Sequence, residues 1–237
     1  MTSLSRLSMP AITLTNVPLS SRKEMGGRSP AADDDLNRIS FGRTEPVTVR
    51  ADSPDNTAEL AAYLRDNPTF RFVALAFTCS FVPDEDEPIM NSKVAVHLKL
   101  DATSTLGQTT DQFIAWSLQP ERLFQPVSQS TTWSLGSQAK LGPVEMDASV
   151  HQTTAHTAED NFIVATGMGS SVAQWYFRRT ASVVLEGMHD LGLIVRAPTQ
   201  AVGSLEVRMT AEIQRRLAGI VPYQAQLPPE LRLVAPI

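Results

Sequence analysis

Large apolar residues recur at every second position in four segments of the chain. Over 71–82 the odd positions read Val73, Leu75, Phe77, Cys79 and Phe81. Over 93–101, Val94, Val96, Leu98 and Leu100 alternate with Lys93, His97, Lys99 and Asp101, Ala95 being the small exception. Over 144–151, Val144, Met146, Ala148 and Val150 alternate with Glu145, Asp147, Ser149 and His151. Over 204–214, Leu205, Val207, Met209, Ala211 and Ile213 alternate with Ser204, Glu206, Arg208, Thr210, Glu212 and Gln214. Successive side chains of a strand point to opposite faces, so each segment buries one face and wets the other. That is the habit of antiparallel sheets covered on one side.

The same reading places strands at about 45–51, 70–82, 93–101, 111–118, 131–136, 143–152, 160–166, 172–179, 181–186, 190–197 and 203–215. Turn punctuation separates them at 83–88, Leu106-Gly107, Gly142-Pro143, 167–170, 187–190 and 198–203. Short strands with turns about every ten residues indicate a sandwich or barrel rather than βαβ units. One helix is expected at 57–66: Asn56 and Glu59 mimic a capping box, Leu60, Ala61 and Leu64 form a narrow stripe, and Asn67-Pro68 stops it. The predicted fold is mainly β, an antiparallel two-sheet sandwich of jelly-roll-like type with this single short helix.

The two ends depart from the pattern. Residues 20–35 mix Gly, Pro, Ser and blocks of opposite charge, which gives little to bury. Residues 1–45 are therefore expected to be a flexible arm, 46–217 the sandwich domain, and 218–237 an extended C-terminal arm. Within these arms Ile12, Leu14, Val17 and Leu19, and Leu227, Leu231, Leu233, Val234 and Ile237, are more apolar than free tails require.

Composition narrows the classes. The chain has 237 residues, 42% of them hydrophobic, so the body has material for a real core. Its net charge of −5 argues against a protein that coats nucleic acid with its whole surface. Nucleic acid would be met only through the N-terminal arm, where Arg6, Arg22, Lys23 and Arg28 are thinly spread. Cys79 is the single cysteine, which rules out an internal disulfide or a Cys-based metal site. No apolar run is long enough for a spanning helix or a secretory leader, and a cytoplasmic location is the expectation.

Candidate chemistry is thin. Asp84-Glu85-Asp86-Glu87 matches no calcium loop and reads as a solvated turn. His97, His151, His156 and His189 form no metal-binding pair at helical spacing. Gly167-Met168-Gly169-Ser170-Ser171 lacks the frame of a nucleophile elbow and reads as a turn. Arg178-Arg179 and Arg215-Arg216 point to opposite faces of their strands. Trp116, sharing its side with Ile114 and Leu118, and Trp175, sharing its side with Phe177, read as core; Trp133 sits on a third strand. No catalytic, cofactor or metal residue is assigned.

The expectation is a non-catalytic structural protein that self-assembles through its arms into a homo-oligomer, shell or coat. Its interface residues are Ile12, Leu14, Val17, Leu19, Leu227, Leu231, Leu233, Val234 and Ile237. Arms add strands to sheet edges or lie in apolar grooves, and edges must be covered somehow. Tails folded back into their own chain's interior would argue against this. The alternatives are a sandwich recognition module binding through its loops, and a hydrolase or metal-dependent enzyme with dispersed residues.

Overall fold

The computed structural model describes residues 6–7, 12–21, 38–52, 58–100, 113–123, 133–134, 162–215 and 219–225. In chain order the elements are β1 (Arg6–Leu7), β2 (Thr15–Asn16), β3 (Leu19–Ser21), β4 (Ile39–Arg43), β5 (Val47–Val49), α1 (Ala58–Asp66), β6 (Phe70–Phe81), β7 (Ile89–Leu100) and β8 (Ile114–Gln119). They continue with β9 (Arg122–Leu123), β10 (Trp133–Ser134), β11 (Ile163–Thr166), β12 (Val172–Arg178), β13 (Gly187–Pro198), β14 (Gly203–Arg215) and β15 (Gly219–Ala225).

A seven-stranded sheet runs β3-β15-β14-β7-β12-β11-β9, and a six-stranded sheet runs β2-β4-β6-β13-β8 with β5 also on β6. Every pairing is antiparallel. The chain passes repeatedly between the sheets, among other places from β6 to β7, from β7 to β8 and from β13 to β14, and β1 pairs separately with β10. The fold is a β-sandwich with one short helix.

Three of the four alternating segments fall on described strands and bury their apolar face, except that Leu100, at the end of β7, is exposed. Val73, Leu75, Phe77, Cys79 and Phe81 of β6 share one core with Val94, Val96 and Leu98 of β7 and Leu205, Val207, Met209, Ala211 and Ile213 of β14. Phe77 meets Trp175 at 6.3 Å between ring centroids, and Phe81 meets Phe177 at 5.2 Å, which ties the two sheets face to face. Each such side chain contributes about 1.5–3 kcal/mol by leaving water.

The even positions of β6 are buried too, for a different reason. Phe72 and Ala74 pack with Val49, Tyr63, Leu64, Phe70, Trp116 and Ile194 in a second cluster beneath α1. Tyr63 and Leu64 are therefore helix residues that meet the sheet; of the expected stripe of Leu60, Ala61 and Leu64, the side chain of Leu60 lies outside what is described. Asn67 ends the helix as expected: its side-chain amide donates to the Tyr63 carbonyl at 2.8 Å. The capping residues 53–57 lie outside the described residues.

Several expectations need correction. Residues 181–186 form no strand, and 187–190 form no turn. β13 begins at Gly187, whose φ of 79° turns the chain into the strand. β7 begins at Ile89, earlier than the alternation suggested, because Asn91 and Ser92 pair in the sheet without looking apolar. Gly219–Ala225 is a strand on β14 rather than an arm, and β3 pairs only with its last three residues, past Pro222. The expected strand at 143–152 falls outside the described residues.

Candidate functional site

Residues 12–21 form an edge clasp. Thr15 and Asn16 pair with Phe41 and Ser40 in the six-stranded sheet. Past Pro18, residues 19–21 pair with Ala225, Gln224 and Tyr223 in the seven-stranded sheet. One short segment therefore adds an edge strand to both layers. Between them Val17 and Leu19 turn inward, at 0% and 1% exposure, into the main core. Ile12 and Leu14 are half-buried. Gly42 lets the segment approach: a Cβ there would lie 2.6 Å from the Thr13 carbonyl oxygen and closer still to Ile12.

The N-terminal segment is thus not a free arm over its described part. Val17 and Leu19, expected to meet another copy, sit inside their own chain's core, because they are the two side chains that close the sandwich along its open edge. Leu227, Leu231, Leu233, Val234 and Ile237 lie outside the described residues.

The acidic loop is anchored at its last residue. Arg38, almost fully buried, donates through Nη1 to Glu87 Oε2 at 2.9 Å and through Nη2 to the Glu87 carbonyl. Asp84, Glu85 and Asp86 stay exposed. The Gly167 turn is likewise structural. Gly167 takes φ 95°, Ser170 Oγ accepts from Val172 N at 2.9 Å, and Gly169 N donates to Ala115 O at 2.7 Å, binding the turn to β8 across the sandwich.

Sequence reasoning missed a pairing that only register reveals. Cys79 and His189 lie directly opposite on β6 and β13. His189 packs among Phe81, Phe162 and Phe177, with centroids 5.2–5.8 Å away, and its Nε2 is 2.9 Å from the Glu186 carbonyl. A thiol and an imidazole at this spacing suggest nucleophile and base. The environment sets them the other way. Burial, and then the Asp190 carboxylate, push the Cys79 thiol far above its ordinary value, while burial lowers His189. Thr78 Oγ1 binds that carboxylate at 2.6 Å.

Trp116 is placed by a β-bulge. Val195 pairs with Ala115 and Ile194 with Ser117, so Trp116 is the extra residue and the step of two breaks there. Ala115 and Leu118 face the main core, whereas Trp116 turns to the outer face, against the expectation that it sides with Leu118. There it stacks on Tyr63 at 5.6 Å and meets Phe72 edge-on at 5.6 Å. The Arg196 guanidinium lies 4.6 Å from the Phe70 centroid and 5.1 Å from that of Trp116. Trp175 is core, as expected. Trp133 pairs with Leu7 in the backbone.

The outer face of the seven-stranded sheet is ordered in rows across the strands. Arg122, Val164, Tyr176, Lys93 and Thr210 are successive partners on β9, β11, β12, β7 and β14. Beyond this row lies Arg178 beside Asn91 and Glu212. On the other side, His97 pairs with Glu206, and Glu206 holds both Lys99 and Arg208, the latter at 2.8 Å. Those two cations draw the Glu206 carboxyl down to about 2. Arg178 and Arg179 do separate: Arg178 is exposed on this face, and Arg179 Nη1 lies 3.8 Å from Met90 Sδ.

Among the described residues no group of His, Cys, Asp and Glu is arranged to hold a metal ion, and no helix is long and apolar enough to cross a membrane. Comparison with family models, characterised proteins and solved structures gave no match for the chain.

Proposed function

We propose that this chain is a non-catalytic building block that assembles into a homo-oligomer by exchanging its N-terminal clasp between copies. Burial of Val17 and Leu19 in their own chain's core counts against free arms that dock on other copies, so the reading rests on exchange: one segment carries both anchors and supplies one edge strand to each sheet. The clasp is joined to the sandwich by residues 22–37, whose sixteen residues can span at most about 55 Å. A small domain is about 30 Å across. The same pairings and the same burial are therefore within reach of a neighbouring copy, and exchange of identical elements is a low-cost route to oligomers. Apolar side chains left uncovered near one end of the β6–β13 pair add to the support: Val82 at 55%, Met188 at 66% and Val184 at 42% exposure.

Light scattering tests the size: assembly requires a mass well above 25.8 kDa. Register tests the exchange. Leu19 and Ala225 are direct partners on β3 and β15, so a Leu19→Cys, Ala225→Cys, Cys79→Ala protein should oxidise to covalent dimers and larger species. A monomeric wild-type protein, or cross-linking confined to single chains, overturns the reading. The recognition-module alternative predicts a monomer or a small oligomer.

A further inference from the structure

The outer face of the seven-stranded sheet concentrates positive charge in a chain whose net charge is −5. The outward positions of β7 and β12 are Asn91, Lys93, Ala95, His97, Lys99, Val172, Gln174, Tyr176 and Arg178, and those of β11 are Val164 and Thr166. With Arg122 of β9 they carry four fixed positive charges and no carboxylate. Among the described residues, the face's two carboxylates are both on β14, where Glu206 binds Lys99 and Arg208 and Glu212 accepts from Asn91 at 2.7 Å.

Lys93, Arg122 and Arg178 remain around one exposed ring. Lys93 Nζ is 5.1 Å from the Tyr176 centroid, and Tyr176 is 41% exposed. Strands lie about 4.8 Å apart and alternate residues of one strand about 6.8 Å apart. Arg178 is thus one step along the strand from Tyr176, and Arg122 two strands away.

From this arrangement we infer that the face around Tyr176 binds single-stranded nucleic acid, with Tyr176 as the stacking platform and Lys93, Arg122 and Arg178 as the phosphate contacts. A strand binder combines an aromatic face on which a base stacks with a track of cations for the backbone; Lys93, which lies over the Tyr176 ring, would move aside to a phosphate as a base takes its place. One exposed ring and three cations beside it are present on one sheet face. Gln174, which accepts from the Tyr176 hydroxyl at 2.6 Å, steadies the ring. The inference is independent of clasp exchange and survives a monomeric protein.

The test uses the full chain and a fluorescent 20-nucleotide oligothymidine, read by anisotropy at several salt concentrations. Binding should weaken with salt, and each of Lys93→Ala, Arg122→Ala and Arg178→Ala should reduce the logarithmic salt slope by about 0.7. Tyr176→Ala should weaken binding by about tenfold with the slope unchanged. Near-ultraviolet circular dichroism of each variant shows that it is folded. A control replaces Arg6, Arg22, Lys23 and Arg28 by Ala. Absence of binding, or binding lost in that control but kept in the face variants, overturns the inference. So does equal competition by heparin with no effect of Tyr176→Ala, which would mark a surface for polyanions in general.

Discussion

Cys79 and His189 stand directly opposite each other on β6 and β13, both buried. The pair has the residue types of a catalytic dyad and the surroundings of a core. Burial among three phenylalanine rings favours neutral His189, and burial with the nearby Asp190 carboxylate favours the neutral Cys79 thiol, so neither a thiolate nor an imidazolium is at hand near neutral pH.

The thiol should therefore be silent. In the folded protein Cys79 should react with a thiol-specific disulfide reagent at least about 10³ times more slowly than in denaturant, since reaction requires opening of a core worth several kcal/mol. Rapid stoichiometric labelling of the native protein would show an exposed thiolate and revive the dyad.

His189 should make stability depend on pH. Burial lowers its pKa in the fold, while the unfolded chain titrates near 6.5. Below 6.5 the unfolded state binds more protons, so stability falls as pH drops, by up to about 1.4 kcal/mol per unit until the folded-state pKa is reached. Urea midpoints at pH 7.5, 6.5 and 5.5 should decline for the wild type and decline less for His189→Phe. Identical slopes would place the titration elsewhere.

The clasp should be worth several kcal/mol to whichever sandwich receives it. Leu19→Ala should cost about 2–5 kcal/mol, as for other fully buried leucines, and Leu14→Ala clearly less, because Leu14 is only half-buried. Equal effects in chemical denaturation would mean that Leu19 is not an anchor.

Gly42→Ala offers an independent handle, since it touches neither anchor. The added Cβ meets the Thr13 carbonyl oxygen at 2.6 Å, and backbone gives way poorly. We expect faster proteolysis within residues 8–21 and a stability loss of about 1–3 kcal/mol. Unchanged proteolysis would mean that the segment does not lie over β4.

Trp116→Ala should cost about 2 kcal/mol, less than the ~3–5 kcal/mol typical of a fully buried tryptophan, because the residue is only partly buried. Arg196→Lys should also destabilise, for an ammonium cannot stack its plane on Phe70 and Trp116. A thermally neutral Arg196→Lys would show that the stacked guanidinium contributes nothing.

The sequence alone determined the layers. Alternation over 71–82, 93–101 and 204–214 depends only on the period of a strand, so the inward residues of β6, β7 and β14 were legible except for Leu100, which the strand end leaves exposed, as was the helix before Asn67-Pro68. What only the tertiary structure decided are relations between distant strands. Local pattern carries no register, so it set no Cys79 opposite His189 and no row from Arg122 to Lys93. It could not show the bulge that turns Trp116 away from Leu118, since a bulge is defined against a partner strand. Nor could it tell that Val17 and Leu19 have a core within their own chain: apolar residues announce that they need burial, and the closing of two sheet edges decides where they find it.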